Sequence, residues 1–326
     1  MQMDRRDFLK NTLAAAGSLT ALDLAEPAAH ALEPTGAETL PQRVLGRTKA
    51  KVSLLGFGMA PLGSDNTATA EAERVVHYAL DQGINYVDVA PVYGDAESKL
   101  KGVLKTRRDS LFLVTKVNTS QQDKEGVQKQ IEASLERMGT DRIDLVHIHN
   151  LGDFDMEKLF RPDGALAGLK AARKRGLIRF IGTSGHMRPA RFVQAIETGD
   201  IDVTMNALNF ADRHTYDFEG LVLPAAKKHG TAVVAMKALG GAVEWRYDGK
   251  TPATLAPYHE RAIRYALGLP GVRCAVIGFA TVEEVQQALA VARRFQPLSA
   301  AERDELLAEG RKLAQTRGLY YGPVTG

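Results

Sequence analysis

Strand and helix patterns alternate from residue 44 onward, which predicts an α/β protein: a TIM-type (β/α)8 barrel with an N-terminal hairpin and an extra C-terminal helix. The candidate strands are continuous apolar runs, as in a parallel sheet covered on both faces. About eight strand–helix units follow one another, which is the number that closes such a sheet into a barrel. Gly56, Phe57 and Gly58 fall short of the Gly-x-Gly-x-x-Gly fingerprint, which disfavours a Rossmann fold.

The elements follow in order along the chain. The predicted strands span residues 53–57, 84–87, 111–116, 143–148, 178–183, 203–207, 231–235 and 275–277. The predicted helices span residues 69–82, 95–105, 124–138, 164–176, 188–197, 216–229, 258–268 and 281–294. Before the first strand, 43–48 and 51–53 are the two halves of a hairpin that closes the barrel bottom. Ser299, with Glu302 three residues later, predicts the start of a last helix outside the barrel. Residues 32–326 therefore form one domain.

Composition limits the possible functions. The chain is 44% hydrophobic and 25% charged, and its net charge of +3 gives no electrostatic signature of nucleic-acid binding. The single cysteine, Cys274, lies in an apolar run, so an intrachain disulfide and a cysteine-rich metal site are both excluded. We expect a monomer or small homo-oligomer.

The N-terminus carries three signals in the order of an export signal. Residues 4–10, with Arg5 and Arg6, resemble the twin-arginine motif, although Asp4 stands where Ser or Thr is usual. An apolar stretch at 13–25 and the small-x-small sequence at 29–31 follow. The stretch is too short, and with Asp23 too polar, for a stable membrane span. We predict a signal peptide over residues 1–31, recognition by the twin-arginine (Tat) export machinery and a periplasmic location.

Polar residues stand at the ends of three successive apolar strands. Asp88 follows the second strand with Tyr93 in its loop, Lys116 ends the third and His149 ends the fourth. In a TIM barrel the carboxyl ends of the strands carry the catalytic groups. A buried ammonium requires a partner, and Asp88 on the neighbouring strand is the natural one for Lys116. We therefore expect these side chains to meet at the barrel mouth.

This set suits the reduction of a carbonyl group. A phenol with its ordinary pKa of about 10 is a poor acid near neutrality, and a neighbouring ammonium lowers that pKa by stabilising the phenolate. Tyr93 is thus the candidate general acid, Lys116 its activator and Asp88 the group that keeps Lys116 charged. His149 would hydrogen-bond the carbonyl oxygen. Hydride must come from a cofactor, because no side chain delivers it.

The chain resembles the aldo-keto reductases over nearly all of residues 43–317. The segments that carry the resemblance are 43–48, 55–58, 83–94, the pair Thr115 and Lys116, and 144–149. The resemblance implies a catalytic tetrad of Asp88, Tyr93, Lys116 and His149, with a nicotinamide cofactor, NADP(H) or NAD(H), across the barrel mouth. It also implies aldehydes or ketones as the small-molecule carbonyl substrates.

The resemblance further implies which residues contact the cofactor. Ser184 and Asn206 occupy the positions that hold the nicotinamide carboxamide, although Gly185 replaces the usual Asn. Met236 replaces an aromatic that stacks on the nicotinamide. The remaining contacts expected are those of the loops after the last two strands, namely Lys237, Leu239, Gly240, Gly278, Ala280 and Thr281.

The adenosine end departs from the family pattern. The family's Arg for the 2′-phosphate falls near Ala280, and its adenine-binding Asn falls near Ala288. Glu283 and Glu284 would repel an added phosphate. The sequence therefore puts a strict preference for NADP in doubt and makes NAD or dual use credible.

Two other functions remain open from the sequence. His147 and His149 share a face of one strand, and with His186 they could ligate a metal in a hydrolase. Lys116 would repel a cation, and no carboxylate ends the last strand, which weighs against this alternative. The second alternative is a nucleotide-binding barrel without turnover.

Two segments are expected to select the substrate of a reductase. They are residues 151–162, with Phe154 and Phe160, and the segment that carries Trp245, Tyr247 and Tyr258. The C-terminal tail is short, which suggests that the barrel mouth is open.

Overall fold

The computed structural model describes residues 39–63, 66–118, 122–243 and 253–326. The predicted signal peptide, together with Trp245 and Tyr247, lies outside the described residues. Strands β1 (Gln42–Val44) and β2 (Lys51–Ser53) form an antiparallel hairpin. The other eight strands are β3 (Leu55–Gly58), β4 (Tyr86–Asp88), β5 (Phe112–Val117), β6 (Ile143–Ile148), β7 (Ile178–Gly185), β8 (Val203–Ala207), β9 (Ala232–Met236) and β10 (Val272–Gly278).

These eight strands form a closed parallel barrel in chain order, with β10 paired to β3. The α-helices of the described residues are α1 (Thr69–Asp81), α2 (Ala96–Lys99), α3 (Lys101–Arg107), α4 (Lys124–Met138), α5 (Met156–Phe160), α6 (Ala165–Lys174), α7 (Pro189–Glu197), α8 (Phe218–His229), α9 (His259–Gly268), α10 (Val282–Arg293) and α11 (Ala300–Arg317). The predicted (β/α)8 barrel, its hairpin and its last helix are confirmed.

The core has two parts, divided by the barrel wall. The inner part fills the lumen and includes Tyr86, Phe112 and Val114, with Leu45 and Val52 of the hairpin closing its lower end. The outer part packs the other faces of the strands against the helices. Because successive side chains of a strand point to opposite faces, each strand contributes to both parts. The lumen is therefore packed, and only residues near the upper ends of the strands reach the mouth.

Two details differ from the sequence prediction. The helix expected at 95–105 is divided into α2 and α3, and the short helix α5 was not predicted. The last helix begins as expected, because Ser299 and Glu302 form a reciprocal capping box at its N-terminus. No helix among the described residues has the length and apolar character needed to cross a membrane.

Candidate active site

The ends of β4 and β5 bring a buried ion pair to the barrel mouth. Lys116 Nζ lies 2.7 Å from Asp88 Oδ2 and also donates to the carbonyl oxygen of Val89 at 2.9 Å. The residues are 1% and 3% exposed. The two side chains meet because side chains alternate between the faces of a strand. Lys116 therefore shares the lumen face of β5 with Val114, and Asp88 shares the lumen face of β4 with Tyr86.

Burial and attraction act against each other in this pair. Burial lowers the pKa of Lys116, while Asp88 opposes that shift. Burial likewise raises the pKa of Asp88, and Lys116 opposes it. The short contact and the additional bond to Val89 stabilise the charged forms of both partners. The pair therefore places a fixed cation at the mouth, held by a carboxylate beneath it.

Tyr93 lies beside this cation, in the loop after β4. Lys116 Nζ sits 4.6 Å from the centre of the Tyr93 ring, and the Tyr93 and His149 rings meet edge to face with centroids 6.0 Å apart. Two glycines set the position of the loop. A Cβ at Gly63 would overlap the carbonyl oxygen of Tyr93, and Gly94, at a φ of +54°, faces the carbonyl of Gly63 in the same way.

His149 follows β6 and is 9% exposed. Burial, then the charges of Lys116 and Lys237, lower the pKa of His149 to about 3. The ring is therefore neutral near pH 7 and offers one N–H donor and one acceptor. His147 lies two residues deeper on the same face, fully buried, and burial and Lys116 lower its pKa as well. The structure thus brings Asp88, Tyr93, Lys116 and His149 together.

Three of the predicted cofactor contacts occupy the upper lumen. Ser184 is buried near the end of β7, with its hydroxyl 3.5 Å from the carbonyl oxygen of Ile148. Met236 ends β9 and belongs to the lumen core. Gly278 ends β10, where a Cβ would press on Pro61. All three lie on the rim that carries the ion pair.

The structure does not bring Asn206 into this group. Its neighbour Met205 belongs to the lumen core, so alternation directs Asn206 to the outer face of β8. There its Oδ1 accepts a hydrogen bond from Thr204 at 3.0 Å, on the face that Thr204 shares with Thr183. The prediction that Asn206 faces a nicotinamide is therefore wrong by one residue along β8. Met205 holds the lumen-facing position.

The loop after β9 carries Lys237, Leu239 and Gly240. Lys237 is in the left-handed region with a φ of +56°. Burial, then repulsion from Lys116, lower the pKa of Lys237 to about 8. Leu239 packs against the outer core, whereas Gly240 and Gly241 have φ of +79° and +82°, a turn that glycine adopts without strain. The loop therefore combines a cation with a glycine turn, the features that suit a pyrophosphate.

The start of α10 is closed by its own side chain. Glu284 accepts the backbone N–H of Ala280 at 2.6 Å and that of Thr281 at 3.4 Å, while the Thr281 hydroxyl accepts the N–H of Glu284. This capping box uses the donors that would otherwise receive a phosphate. Ala280 and Thr281 stand at this helix start, and their contact with a cofactor stays a prediction. Glu284 therefore occupies the backbone donors at the start of this helix.

The C-terminal tail contacts the described parts of the loops that follow β7 and β9. The ring of Tyr321 stacks on that of His186 with centroids 5.0 Å apart, and its hydroxyl donates to the carbonyl oxygen of Gly240 at 3.1 Å. Tyr216 accepts the N–H of Tyr321 at 2.8 Å. Arg191 donates to the backbone oxygen of Gly326 at 2.9 Å, which holds the tail against α7.

Some expected substrate-contacting residues lie elsewhere. Phe154 is 1% exposed and packs in the outer core. Tyr258 packs on Phe210 and donates to Glu309 on α11. In their place the structure brings Asn150, His186 and Tyr321 to the mouth. Sequence reasoning considered His186 only as a metal ligand, and Tyr321 follows the last helix without any motif around it.

The arrangement defines the class of protein: an oxidoreductase barrel whose mouth holds a lysine-paired carboxylate, a phenol and a neutral imidazole. The model of the Aldo/keto reductase family matches residues 54–260. The chain thus belongs to the aldo/keto reductase family, and its activity is an NAD(P)H-dependent carbonyl reduction.

Named relatives extend the match over the barrel. The chain is 26% identical to L-galactose dehydrogenase of Arabidopsis thaliana over 288 residues, which covers 78% of this chain and 89% of that one. It is 29% identical to D-threo-aldose 1-dehydrogenase of a Pseudomonas species, covering 56% of this chain and 65% of the relative. An aldo-keto reductase structure from Pseudomonas aeruginosa superposes with a TM-score of 0.67 at 27% identity, over 79% of this chain and 97% of that one.

The two alternative functions are not supported. No group of three His, Cys, Asp or Glu side chains suited to a metal ion occurs within the described ranges. The family assignment and the intact set of strand-end residues weigh equally against a barrel that binds nucleotide without turnover.

Proposed function

We propose that Tyr93 is the general acid of this reductase, with Lys116, Asp88 and His149 in supporting roles. The observation that carries the proposal is the 2.7 Å contact between Lys116 and Asp88, because it keeps a cation charged 4.6 Å from the centre of the Tyr93 ring. A fixed cation stabilises the phenolate that remains after Tyr93 gives up its proton.

Each residue then has a distinct task. The Tyr93 hydroxyl donates its proton to the substrate oxygen as negative charge develops there. His149, neutral because its pKa lies at about 3, donates an N–H to the same oxygen and orients it. Asp88 neither donates nor accepts a proton, and its carboxylate holds the Lys116 ammonium in position. The packed lumen below the mouth keeps water from the lower side of the site.

The nicotinamide dinucleotide, when bound, supplies the hydride. Ser184 and Met236 on the rim would face the nicotinamide, and Lys237 with Gly240 would hold the pyrophosphate. The family resemblance locates the 2′-phosphate near Ala280, and the Glu284 carboxylate that accepts the Ala280 N–H would repel such a phosphate. We infer that the enzyme uses both NADH and NADPH, without a strict preference for NADPH.

Sugar-derived carbonyl compounds are the proposed substrates. Two relatives are named for sugars, one for L-galactose and one for an aldose. The test is to assay the purified protein with NADH and with NADPH against hydroxylated and plain aldehydes. Absence of nucleotide oxidation with every aldehyde would refute carbonyl reduction by this site.

Export to the periplasm by the Tat machinery is a separate proposal. It rests on the paired Arg5 and Arg6, the apolar stretch and the cleavage sequence at 29–31. The periplasm offers no free nicotinamide pool, so the cofactor would be loaded before transport and carried out bound. Replacing Arg5 and Arg6 together by Lys should retain the full-length chain in the cytoplasm. Cleaved periplasmic protein from that variant, or wild-type periplasmic protein without nucleotide on denaturation, would contradict the proposal.

A further inference from the structure

The loop after β9 is held by side chains of the last helix and of the tail that follows it. Arg317, in the last turn of α11, donates from Nη2 to the carbonyl oxygen of Gly240 at 3.0 Å. The Tyr321 hydroxyl donates to the same oxygen at 3.1 Å. The Tyr320 hydroxyl donates to the carbonyl oxygen of Ala242. The helix end and the tail therefore supply three donors to one short loop.

The Arg317 guanidinium also joins this loop to two other segments. Its Nε and Nη2 donate to the two carboxylate oxygens of Asp212, after β8, at 2.9 and 3.1 Å. Its Nη1 donates to Thr254 Oγ1 at 2.6 Å, and the Thr254 N–H donates to the carbonyl oxygen of Gly241 at 2.9 Å. The Arg317 and Asp212 side chains are 9% and 3% exposed. The guanidinium thus bonds to three segments through a planar fork that an ammonium cannot reproduce.

The carboxylate that anchors Arg317 is bonded in turn to the beginning of the same loop. Asn209 Nδ2 donates to Asp212 Oδ2 at 2.5 Å and to the carbonyl oxygen of Lys237 at 3.0 Å. Asn209 Oδ1 accepts the N–H of Asp212 at 2.8 Å. Arg317 therefore holds the loop at Gly240 directly and at Lys237 through Asp212 and Asn209. These two loop residues are the ones assigned above to the pyrophosphate.

The bonds to Gly240 fix the orientation of a peptide plane. In a trans peptide the carbonyl and the following N–H point in opposite directions. The two donors on the Gly240 oxygen therefore turn the N–H of Gly241 away from Arg317 and Tyr321. Both glycines have positive φ, and glycine has more accessible conformations than other residues, so such a turn needs these bonds to keep one shape. Backbone N–H groups in turns of this kind bind phosphates.

We propose that Arg317 is a positioning residue for the nucleotide, and that with Tyr321 it holds the loop from Lys237 to Ala242 in the shape that binds the pyrophosphate. This inference rests on the proposed role of Lys237 and Gly240 in nucleotide binding, and it adds the residues that preorganise them. Preorganisation strengthens binding because an ordered loop loses less conformational entropy when the ligand binds. Loss of these contacts therefore weakens nucleotide binding and leaves the chemical step unchanged.

The test measures the dissociation constants of NADH and of ADP, which carries the pyrophosphate without the nicotinamide, and kcat at saturating NADH and aldehyde. Arg317→Lys keeps a positive charge beside Asp212 but loses the planar fork that reaches the loop. We expect both dissociation constants to rise about 10-fold, because hydrogen bonds that order the loop are lost, and kcat to stay within about twofold. Tyr321→Phe removes one hydroxyl and should raise both constants about threefold. Arg311→Lys, exposed on the same helix, is the matched control and should change neither constant.

Unchanged dissociation constants in both variants would overturn the inference and leave the proposed carbonyl reduction intact. Lower stability in urea together with unchanged constants would assign Arg317 a purely structural role. A rise for NADH without a rise for ADP would exclude positioning of the pyrophosphate. If Arg317→Lys does not fold, Tyr321→Phe decides alone, since the threefold rise is required of it. Absence of nucleotide binding by the wild-type protein would instead remove the proposed function on which the inference rests.

Discussion

Lys116 Nζ lies 2.7 Å from Asp88 Oδ2 in a site where both side chains are almost completely buried. Removing either charge of such a pair destabilises the fold, because the other charge is then left buried and uncompensated in a low dielectric. The hydrogen bond to Val89 adds a second acceptor for the ammonium but no second negative charge. The pair therefore governs stability as well as the charge at the mouth.

Asp88→Asn should lower the free energy of unfolding by roughly 3–5 kcal/mol, because it leaves the Lys116 ammonium unpaired. Adding Lys116→Met to that variant should recover much of the loss, since the buried charge is then absent. Urea unfolding of the wild type, of Asp88→Asn, of Lys116→Met and of the double variant gives the coupling energy. Glu71→Gln, which breaks an exposed pair with Arg74, should change stability by less than about 1 kcal/mol. An equal effect of the buried and exposed substitutions would contradict this account.

Tyr93→Phe should reduce kcat for carbonyl reduction by about 10²- to 10⁴-fold, because it removes the proton donor. Nucleotide affinity should stay within about twofold of wild type, since the Tyr93 hydroxyl is assigned to the substrate oxygen. Tyr86→Phe is the matched control. It also removes a phenol hydroxyl, one that is buried in the lumen and has no partner among the described residues. Undiminished turnover in Tyr93→Phe would refute the assigned role.

The barrel and the convergence of the strand-end residues could be predicted from the sequence. Parallel strands buried on both faces read as apolar runs, so Lys116 and Asp88 stood out as charges inside them. The closed order of the barrel then places neighbouring strand ends at one rim. Residue types and spacing were enough to predict that these side chains converge, because the contacts among them are between adjacent strands.

Contacts that depend on strand parity or on distant segments could not be predicted. Asn206 and Met205 differ by one position, and one position exchanges the lumen for the outer face. Because β8 is buried on both faces, its sequence shows no alternation of polar and apolar residues that would have identified the lumen face. Tyr321 reaches His186 from the far end of the chain, through bonds to Tyr216 and Gly240 that no local pattern encodes.

Nucleotide choice should follow from the start of α10. With Glu284 bound to the N–H of Ala280, the dissociation constants of NADH and NADPH should differ by less than about tenfold at fixed salt. Ala280→Arg should tighten NADPH binding at least about tenfold and leave NADH within about threefold. Gln287→Arg adds the same charge on an exposed face of α10 and should not discriminate. A hundredfold NADPH preference in the wild-type enzyme would refute the expectation.

The stability of the enzyme should fall as the pH is lowered below about 6.5. His149 has a folded-state pKa of about 3, below its ordinary value of 6.5, so only the unfolded chain gains its proton between those values. Protonation then favours unfolding by about 1.4 kcal/mol per pH unit for this group. Unfolding in urea at pH 7, 6 and 5 should show a shallower slope for His149→Gln than for wild type. Equal slopes would show that His149 is not held neutral by the fold.

Gly63 should control activity without touching substrate. A Cβ at this position would overlap the carbonyl oxygen of Tyr93, so Gly63→Ala must shift the loop that carries the phenol. A displacement of about 1 Å in a catalytic group can cost about 100-fold in rate, so kcat should fall 10- to 100-fold with little change in nucleotide affinity. Gly268→Ala, at the end of α9 where a Cβ meets nothing within 4 Å, is the control. Because both variants add one methyl group, a similar kcat in the two would show that the contact between Gly63 and Tyr93 does not position the acid.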